Sequence, residues 1–292
     1  MTRLLIAPSV CAAAFSVLTK SWPDQRAEPR AIPGTHVVDA IKFLSTYADI
    51  LPGQDTIKGV RAFDSNVLAA NVLTLEPRSR LIFTSGAGDR TERYILVRTL
   101  RVPGPDSTIT WDREPASQRI VAPIGKALPG AMGRREGLDA APGPDGLTGN
   151  SGYTGRSAPT IYLVVNRIEG GPIELDLRGQ DGGEGGVGQT GGDGGQGGNG
   201  GSGGEGGRGG NGGTLVLLAP AAELERIAAQ IRVDVRPGTG GAGGPGGEPG
   251  RGGDGGTAGR AGQQGTSGPD GQPGLFAKTG LTEQQIRTLQ LT

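Results

Sequence analysis

Short runs of apolar and β-branched residues, bounded by turn residues, recur along the chain and predict a β-rich fold. Val67 to Leu75 with Arg80 to Thr84, and Arg93 to Val102 with Thr108 to Trp111, form two strand–connector–strand units. Thr160 to Val165 with Ile173 to Leu177, and Thr214 to Leu218 with Ile231 to Val235, form two more. The second members of these last units match: Ile173-Glu-Leu-Asp-Leu-Arg-Gly179 against Ile231-Arg-Val-Asp-Val-Arg-Pro237-Gly238, and each leads at once into glycine. This is an internal repeat of about 55 to 60 residues. Four such units predict a stack, a short β-solenoid or parallel β-layer, in which each unit buries its apolar phase on the next. Separate β-hairpins in a sandwich are the alternative.

Helical periodicity is scarce. Val37 to Leu51 places Val37, Val38, Ile41, Leu44, Ala48 and Leu51 near one face, which predicts an amphipathic helix able to cap one end of the stack. Ala221 to Gln230 reads as a short helix with Leu224, Ile227 and Ala228 inward, and Thr282 can cap a helix over Glu283 to Leu289. Asp112 to Pro142, rich in proline, alanine and arginine, reads as a long loop.

Between the apolar units, glycine keeps a period of three. Five glycines hold the phase from Gly143 to Gly155, twelve from Gly179 to Gly212 and thirteen from Gly238 to Gly274. In the middle run a second phase is also glycine from Gly183 to Gly213, except at Gln189. A flexible linker has no reason to hold such a phase. A left-handed extended helix with three residues per turn puts each phase on one edge, and a bare glycine edge lets another backbone approach and bond laterally. The structural glycines are Gly182, Gly185, Gly188, Gly191, Gly194, Gly197, Gly200 and Gly203, then Gly241, Gly244, Gly247, Gly250, Gly253 and Gly256.

Two bare phases predict an interior segment and one predicts a peripheral segment, so the middle run belongs inside and the later part of the last run outside. At roughly 3.1 Å per residue a run of this length folds back on itself, and Gln189-Thr190 is the expected bend. Collagen also needs glycine at every third residue, but the middle run has no proline and spends a second phase on glycine, which a triple helix does not use. The expected fold is therefore mainly β plus polyglycine II: a short β-solenoid or parallel β-layer, inserted glycine helices packed in a bundle, and few short α-helices. Its divisions are an N-terminal segment (1–55), β repeats with the proline-rich loop (56–142), the glycine bundle with interleaved strands (143–276) and a C-terminal helix (277–292).

Composition narrows function by exclusion. Glycine supplies 58 of 292 residues and aromatics only 4%, so a conventional aromatic-rich core is ruled out for much of the chain. Lysine plus arginine equals aspartate plus glutamate at 29 each, which leaves no net field for nucleic acid or an anionic membrane. No segment has the length of apolar chain that spans a bilayer. Arg3 followed by Leu4 to Leu18 with Ala12, Ala13 and Ala14 has the outline of a secretory signal, or of an ordinary buried strand or helix start. An extracellular, periplasmic or virion-surface location is expected over a cytoplasmic one.

Candidate chemistry is sparse. His36 is the one histidine and Cys11 the one cysteine, so neither a multi-histidine metal site nor a cysteine cluster exists. The Gly-x-Gly-x-x-Gly matches arise from the repeat, and no lysine-bearing phosphate loop is present. Asp181, Asp193 and Asp254 recur on a period of three without the strand residues of a calcium-binding nonapeptide, and read as solvated edge carboxylates. Glu174 and Asp176 share a strand face, with Asp234 recurring opposite, and are the one pairing that a carbohydrate-active solenoid could use. No catalytic, cofactor-binding or metal-binding residue is expected. An ice-binding face would need to be flat and weakly charged; Glu184, Asp193, Glu205 and Arg208 interrupt one, whereas Thr257, Ala258, Ala261, Thr266 and Ser267 are milder.

The glycine phases of residues 179 to 213 and 238 to 274 resemble two groups of polyglycine-II proteins, the tail-fibre-tip adhesins of tailed bacteriophages and the snow-flea antifreeze protein. They also look like bacterial proteins termed collagen-like. The resemblance covers a quarter to a third of the chain and concerns architecture. In the adhesins, loops at the ends of the glycine helices contact a bacterial receptor; here no aromatic-rich loop interrupts the runs, and Tyr153 and Phe276 flank or punctuate them. The expected function is a non-catalytic structural or surface scaffold, with a receptor-binding adhesin, a carbohydrate-active solenoid and an ice-binding protein as alternatives. The expected partner is a protein or cell surface, self-association included.

Overall fold

The computed structural model describes residues 34–48, 51, 53–84, 92–113 and 141–291. Cys11, the signal-like N-terminus and residues 114–140 of the expected loop lie outside them. Eleven strands form two sheets in which every pairing is parallel. Six alternate strands make one sheet: β1 (Gln54–Ile57), β3 (Val67–Leu75), β5 (Glu92–Val102), β7 (Thr160–Gly170), β9 (Thr214–Pro220) and β11 (Leu275–Leu281). The strands between them make the other: β2 (Val60–Phe63), β4 (Arg80–Phe83), β6 (Thr108–Trp111), β8 (Ile173–Asp176) and β10 (Ile231–Asp234). Parallel pairing throughout overturns the hairpin alternative, because a tight turn can only join antiparallel neighbours.

The register explains the sequence repeat. Ile173 pairs with Ile231 and Asp176 with Asp234, so the two matching motifs lie side by side in one sheet. Between the sheets, like stacks on like: Ile95, Leu163 and Leu217 form one buried ladder, and Leu81, Ile109 and Leu175 another. β5, β7 and β9 are buried on both faces over Ile95–Val97, Ile161–Val165 and Leu215–Ala219 and so carry no polar phase there, whereas β4 and β8 alternate buried and more exposed residues.

Both ends of the core are closed by charge. Asp55 and Arg61 occupy the register positions of Leu73 and Leu81, and they pair with each other at 2.7 Å. At the other end Lys278 takes the position of Leu217 and pairs with Glu225 of α2 (Leu224–Ala229) at 2.5 Å. An inward-pointing ion pair on an edge strand discourages further strand addition.

The outer face of the six-stranded sheet is covered by α1 (Gly34–Ala48) and α3 (Glu283–Thr288). Val37, Ala40, Ile41 and Leu44 pack on Tyr94, Leu96, Tyr162, Val164, Val216 and Leu218. α1 thus lies across a sheet face rather than at the end of the stack. Tyr94 and Tyr162 stack with centroids 4.9 Å apart, and burial raises the Tyr162 phenol above its ordinary pKa, with the carboxylates of Glu92 and Asp39 adding to the rise. Thr282 caps α3 as expected, in a capping box completed by Gln285.

All three glycine runs lie on the same kind of connection, from a strand of the five-stranded sheet to the next strand of the six-stranded sheet. They form five extended segments: segment one (141–158), two (178–193), three (196–213), four (236–252) and five (256–274). The turn between segments two and three falls at Asp193–Gln196, not at Gln189-Thr190, where segment two runs straight on. Gln189 fills its gap in the glycine phase by accepting from the Leu147 amide through Oε1 at 3.0 Å.

Leu217→Ala should lower stability by about 2–5 kcal/mol because the buried ladder cannot close the cavity. Thr282→Ala should cost about 1 kcal/mol. Denaturant midpoints check both; equal losses would contradict the assigned difference in burial.

Candidate functional surface

The glycine segments continue the two sheets as two layers. Segments one, three and five enter β7, β9 and β11, while segments two and four leave β8 and β10. Within the first layer, Gly146, Gly149 and Gly152 of segment one donate to the carbonyls of Asn199, Ser202 and Glu205, and Gly200, Gly203 and Gly206 donate on to Arg260, Gln263 and Thr266. Within the second layer, Gly182, Gly185 and Gly188 donate to Thr239, Ala242 and Pro245. Other glycine phases bond across the layers between antiparallel segments, as from Gly204 to Gly186 at 2.8 Å and from Gly244 to Gly204 at 2.8 Å. Segment three bonds to all four others, which matches its two bare phases. Antiparallel neighbours from one chain are not the three parallel strands of collagen.

Steric room accounts for the glycines. A methyl group on Gly182, Gly185, Gly188 or Gly191 would lie 2.0–2.2 Å from a carbonyl oxygen of segment three. On Gly197, Gly200 or Gly203 it would meet a carbonyl oxygen of segment four at 1.8–2.1 Å, and on Gly241, Gly244, Gly247 or Gly250 one of segment two at 1.9–2.2 Å. Gly194 would strike the Gly143 amide nitrogen at 2.2 Å and Gly256 the Gly195 oxygen at 1.7 Å. Gly253 differs: its nearest neighbour would be the Gly194 oxygen at 3.5 Å, an ordinary contact at the far turn. Gly255 in that turn needs its freedom for another reason, a φ of +78°.

The third phase of each segment carries the side chains, and these form the two outer faces. On the first layer, the Asn199 amide donates to Asp145 Oδ1 at 2.7 Å, and Asn199 Oδ1 in turn accepts from the Arg260 amide at 2.9 Å. Four repeats along, Ser157 Oγ accepts from Asn211 and Asn211 Oδ1 from Gln272, at 3.0 and 2.8 Å. On the second layer, Asp181 accepts from the Thr239 amide and Asp193 from the Arg251 amide, both at 2.8 Å. These aspartates and asparagines hold backbone amides of the neighbouring segment, a role that a reading of them as solvated carboxylates misses. Their spacing from the partner amide, 58 residues in the second layer, was the available signal. Neither face is free of charge, since Glu205, Arg208 and Arg260 lie on one and Glu184, Glu248 and Arg251 on the other.

Where the five-stranded sheet meets the second layer, the carboxylates of the matching motifs are fully engaged. Arg178 grips Asp176 through two nitrogens at 2.9 and 2.7 Å, and Arg236 grips Asp234 identically at 2.9 and 2.7 Å. Arg178 also reaches Asp234 at 3.3 Å and Arg113 reaches Asp176 at 3.5 Å. Burial favours the neutral acid at Asp176, but the hydrogen bonds and charge of Arg178, with Arg113, outweigh it and hold the carboxyl below its ordinary value. A general acid would require the opposite shift. Glu174, exposed in the same sheet face, lies 3.8 Å from Arg232. His36 is exposed in the first turn of α1. Among the described residues no three His, Cys, Asp or Glu side chains gather to hold a metal, and no helix is long and apolar enough to cross a membrane.

No protein-family model matches the chain, and no curated protein matches it. A solved structure from Granisotoma rainieri, titled "Crystal waters on the nine polyproline type II helical bundle springtail antifreeze protein from Granisotoma rainieri match the ice lattice", shares 26% identity, covering 50% of this chain and 99% of its own, with a TM-score of 0.09. A superposition at that score carries no argument.

Gly204→Ala would place a methyl 2.0 Å from the Asn150 oxygen and should cost about 3 kcal/mol, whereas Ser202→Ala on the outer face should stay within about 0.5 kcal/mol. Thermal unfolding compares them. Because the folded pKa of Asp176 is depressed, its contribution is present above the ordinary value of 3.8 and is lost as pH falls through the lower folded value. Asp176→Asn should therefore be less stable than the parent at neutral pH and converge with it in acid; a constant gap across pH would contradict the pairing.

Proposed function

We propose that this chain is a non-catalytic scaffold: a short two-sheet β-solenoid whose corner insertions are polyglycine-II helices packed as a bundle. The observation that carries the reading is the mutual hydrogen bonding of the glycine segments, in which one or two of every three residues donate to a neighbour in a fixed phase. A period of three with lateral rather than internal bonds is what a left-handed extended helix provides. The alternation of consecutive strands between two parallel sheets supports the solenoid, whose rungs each contribute one strand to either side. Such a body works by shape. Its side chains are spent on holding amides or facing water, and its paired carboxylates are neutralised by arginine. Its partner is another protein, self-association included, met outside the cytoplasm.

The scaffold reading separates from the adhesin reading at the far turns, where segments two and three and segments four and five reverse. The purified chain is expected to turn over none of a panel of polysaccharides and to bind whole bacterial cells no better than a glycine-free control. Replacing Gln196 and Asp254 with serine should change neither result. Saturable cell binding abolished by those two substitutions would establish the adhesin and overturn the scaffold.

A further inference from the structure

Segment two keeps glycine on the edge that faces segment one except at Gln180 and Gln189, and both exceptions serve the same end. Gln189 Oε1 accepts from the Leu147 amide and Gln180 Oε1 from the Arg156 amide, at 3.0 Å each. The two segments run antiparallel, with Gly183 donating to the Tyr153 carbonyl at 2.8 Å and Gly186 to the Asn150 carbonyl at 2.7 Å. The same register sets the Tyr153 amide against Gly183 and the Asn150 amide against Gly186, where no side chain can reach back to accept from them. Among the described residues neither amide has an acceptor.

The side chains around these amides are also open. Leu147 is 66% exposed and Tyr153 61%, two of the five large hydrophobic side chains exposed among the described residues, and Asn150 between them is exposed as well. The three nearest atoms to a methyl on Gly183 all belong to segment one, the Tyr153 amide nitrogen being closest at 2.9 Å, which is loose for this bundle. The result is a slot with a glycine edge for a floor, Leu147, Asn150 and Tyr153 along one wall, and a glutamine at either end. At roughly 3.1 Å per residue the stretch from Gln180 to Gln189 spans about 28 Å. Glu184, next to Gly183, adds an exposed carboxylate that no described cation engages.

We propose that this slot binds a proline-rich segment of a partner protein in the polyproline-II conformation. Such a segment carries unpaired carbonyls, and those three residues apart lie about 9 Å apart along one edge, the spacing that the Asn150 and Tyr153 amides have along theirs. Proline brings no amide for the slot to leave unsatisfied, and its fixed backbone reduces the entropy lost on docking. Tyr153 and Leu147 offer aromatic and apolar surface to the pyrrolidine rings, and Glu184 favours an arginine or lysine among them. The proposal rests on the scaffold reading and names the chemistry of the partner that the scaffold holds.

Fluorescence anisotropy with a labelled peptide of three proline-proline-arginine repeats, against a glycine-serine-arginine peptide of equal charge, tests the assignment. The full chain should bind the first peptide saturably and at least about tenfold more tightly than the second. Gly183→Gln with Gly186→Gln should weaken that binding at least about tenfold with no fall in thermal midpoint, because the new side chains can accept from the two amides as Gln180 and Gln189 do. If the double variant unfolds, Tyr153→Ala takes its place and should weaken binding at least about fivefold. No saturable binding by about 1 mM peptide would overturn the proposal, as would equal binding of the control or binding that the variants leave intact. So would a dimer in sedimentation that the double variant cannot form, or slow exchange of the Asn150 and Tyr153 amides before peptide is added, since the slot would then already be filled. None of these outcomes touches the scaffold reading, which fails on polysaccharide turnover or on cell binding through the far turns.

Discussion

A carbonyl oxygen of one segment lies where the β-carbon of its neighbour would be, and the rest of this structure follows from that contact. At most glycines of the layers the approach is 1.7–2.2 Å to an imagined methyl, so another residue there fits only by moving backbone, whereas Gly183 at 2.9 Å and Gly253 at 3.5 Å are looser. Once the side chains are gone, amides and carbonyls of adjacent segments meet at about 2.8 Å and satisfy one another without water. The entropy lost in ordering so much glycine is large. It is offset by many repeated hydrogen bonds in place of an apolar core.

One chain thus solves the same packing problem twice with the same two layers. Stacked sheets stand about 10 Å apart because side chains fill the gap, and here that filling is the Ile95–Leu163–Leu217 ladder and its neighbours. A few residues further along, the layers close until their backbones bond directly. Both regions also limit their own growth. The sheet core ends in the Asp55–Arg61 and Lys278–Glu225 pairs. In segment five, Ala258, Ala261, Gln264, Ser267 and Asp270 stand where segment three has glycine, and Asp270 folds over to accept from the Gly240 amide at 2.7 Å. A further segment would find no bare edge there.

Much of this was legible in the residues because it is periodic. The β character, the 58-residue match between β8 and β10, the helix cap at Thr282 and the count of bare glycine phases are all local patterns. Two features were not legible. The bend lies at Asp193–Gln196 because Gln189 can replace a glycine at an edge where its side chain finds an amide, so a break in the pattern was not a break in the segment. The aspartates and asparagines of the outer faces bond to amides more than fifty residues away, and only the strand register reveals which amide each one meets. The surfaces themselves gave little chemistry to read, because Asp145, Asp181 and Asp193 serve the backbone and Asp176 and Asp234 are held by arginine.

Residue-resolved amide exchange across 178–213 tests the central claim most directly. The account predicts a period of three, with Gly182, Gly183, Gly185 and Gly186 exchanging slowly and Glu184 and Val187 rapidly. Uniform exchange at the unfolded rate, or protection without the period, would contradict it.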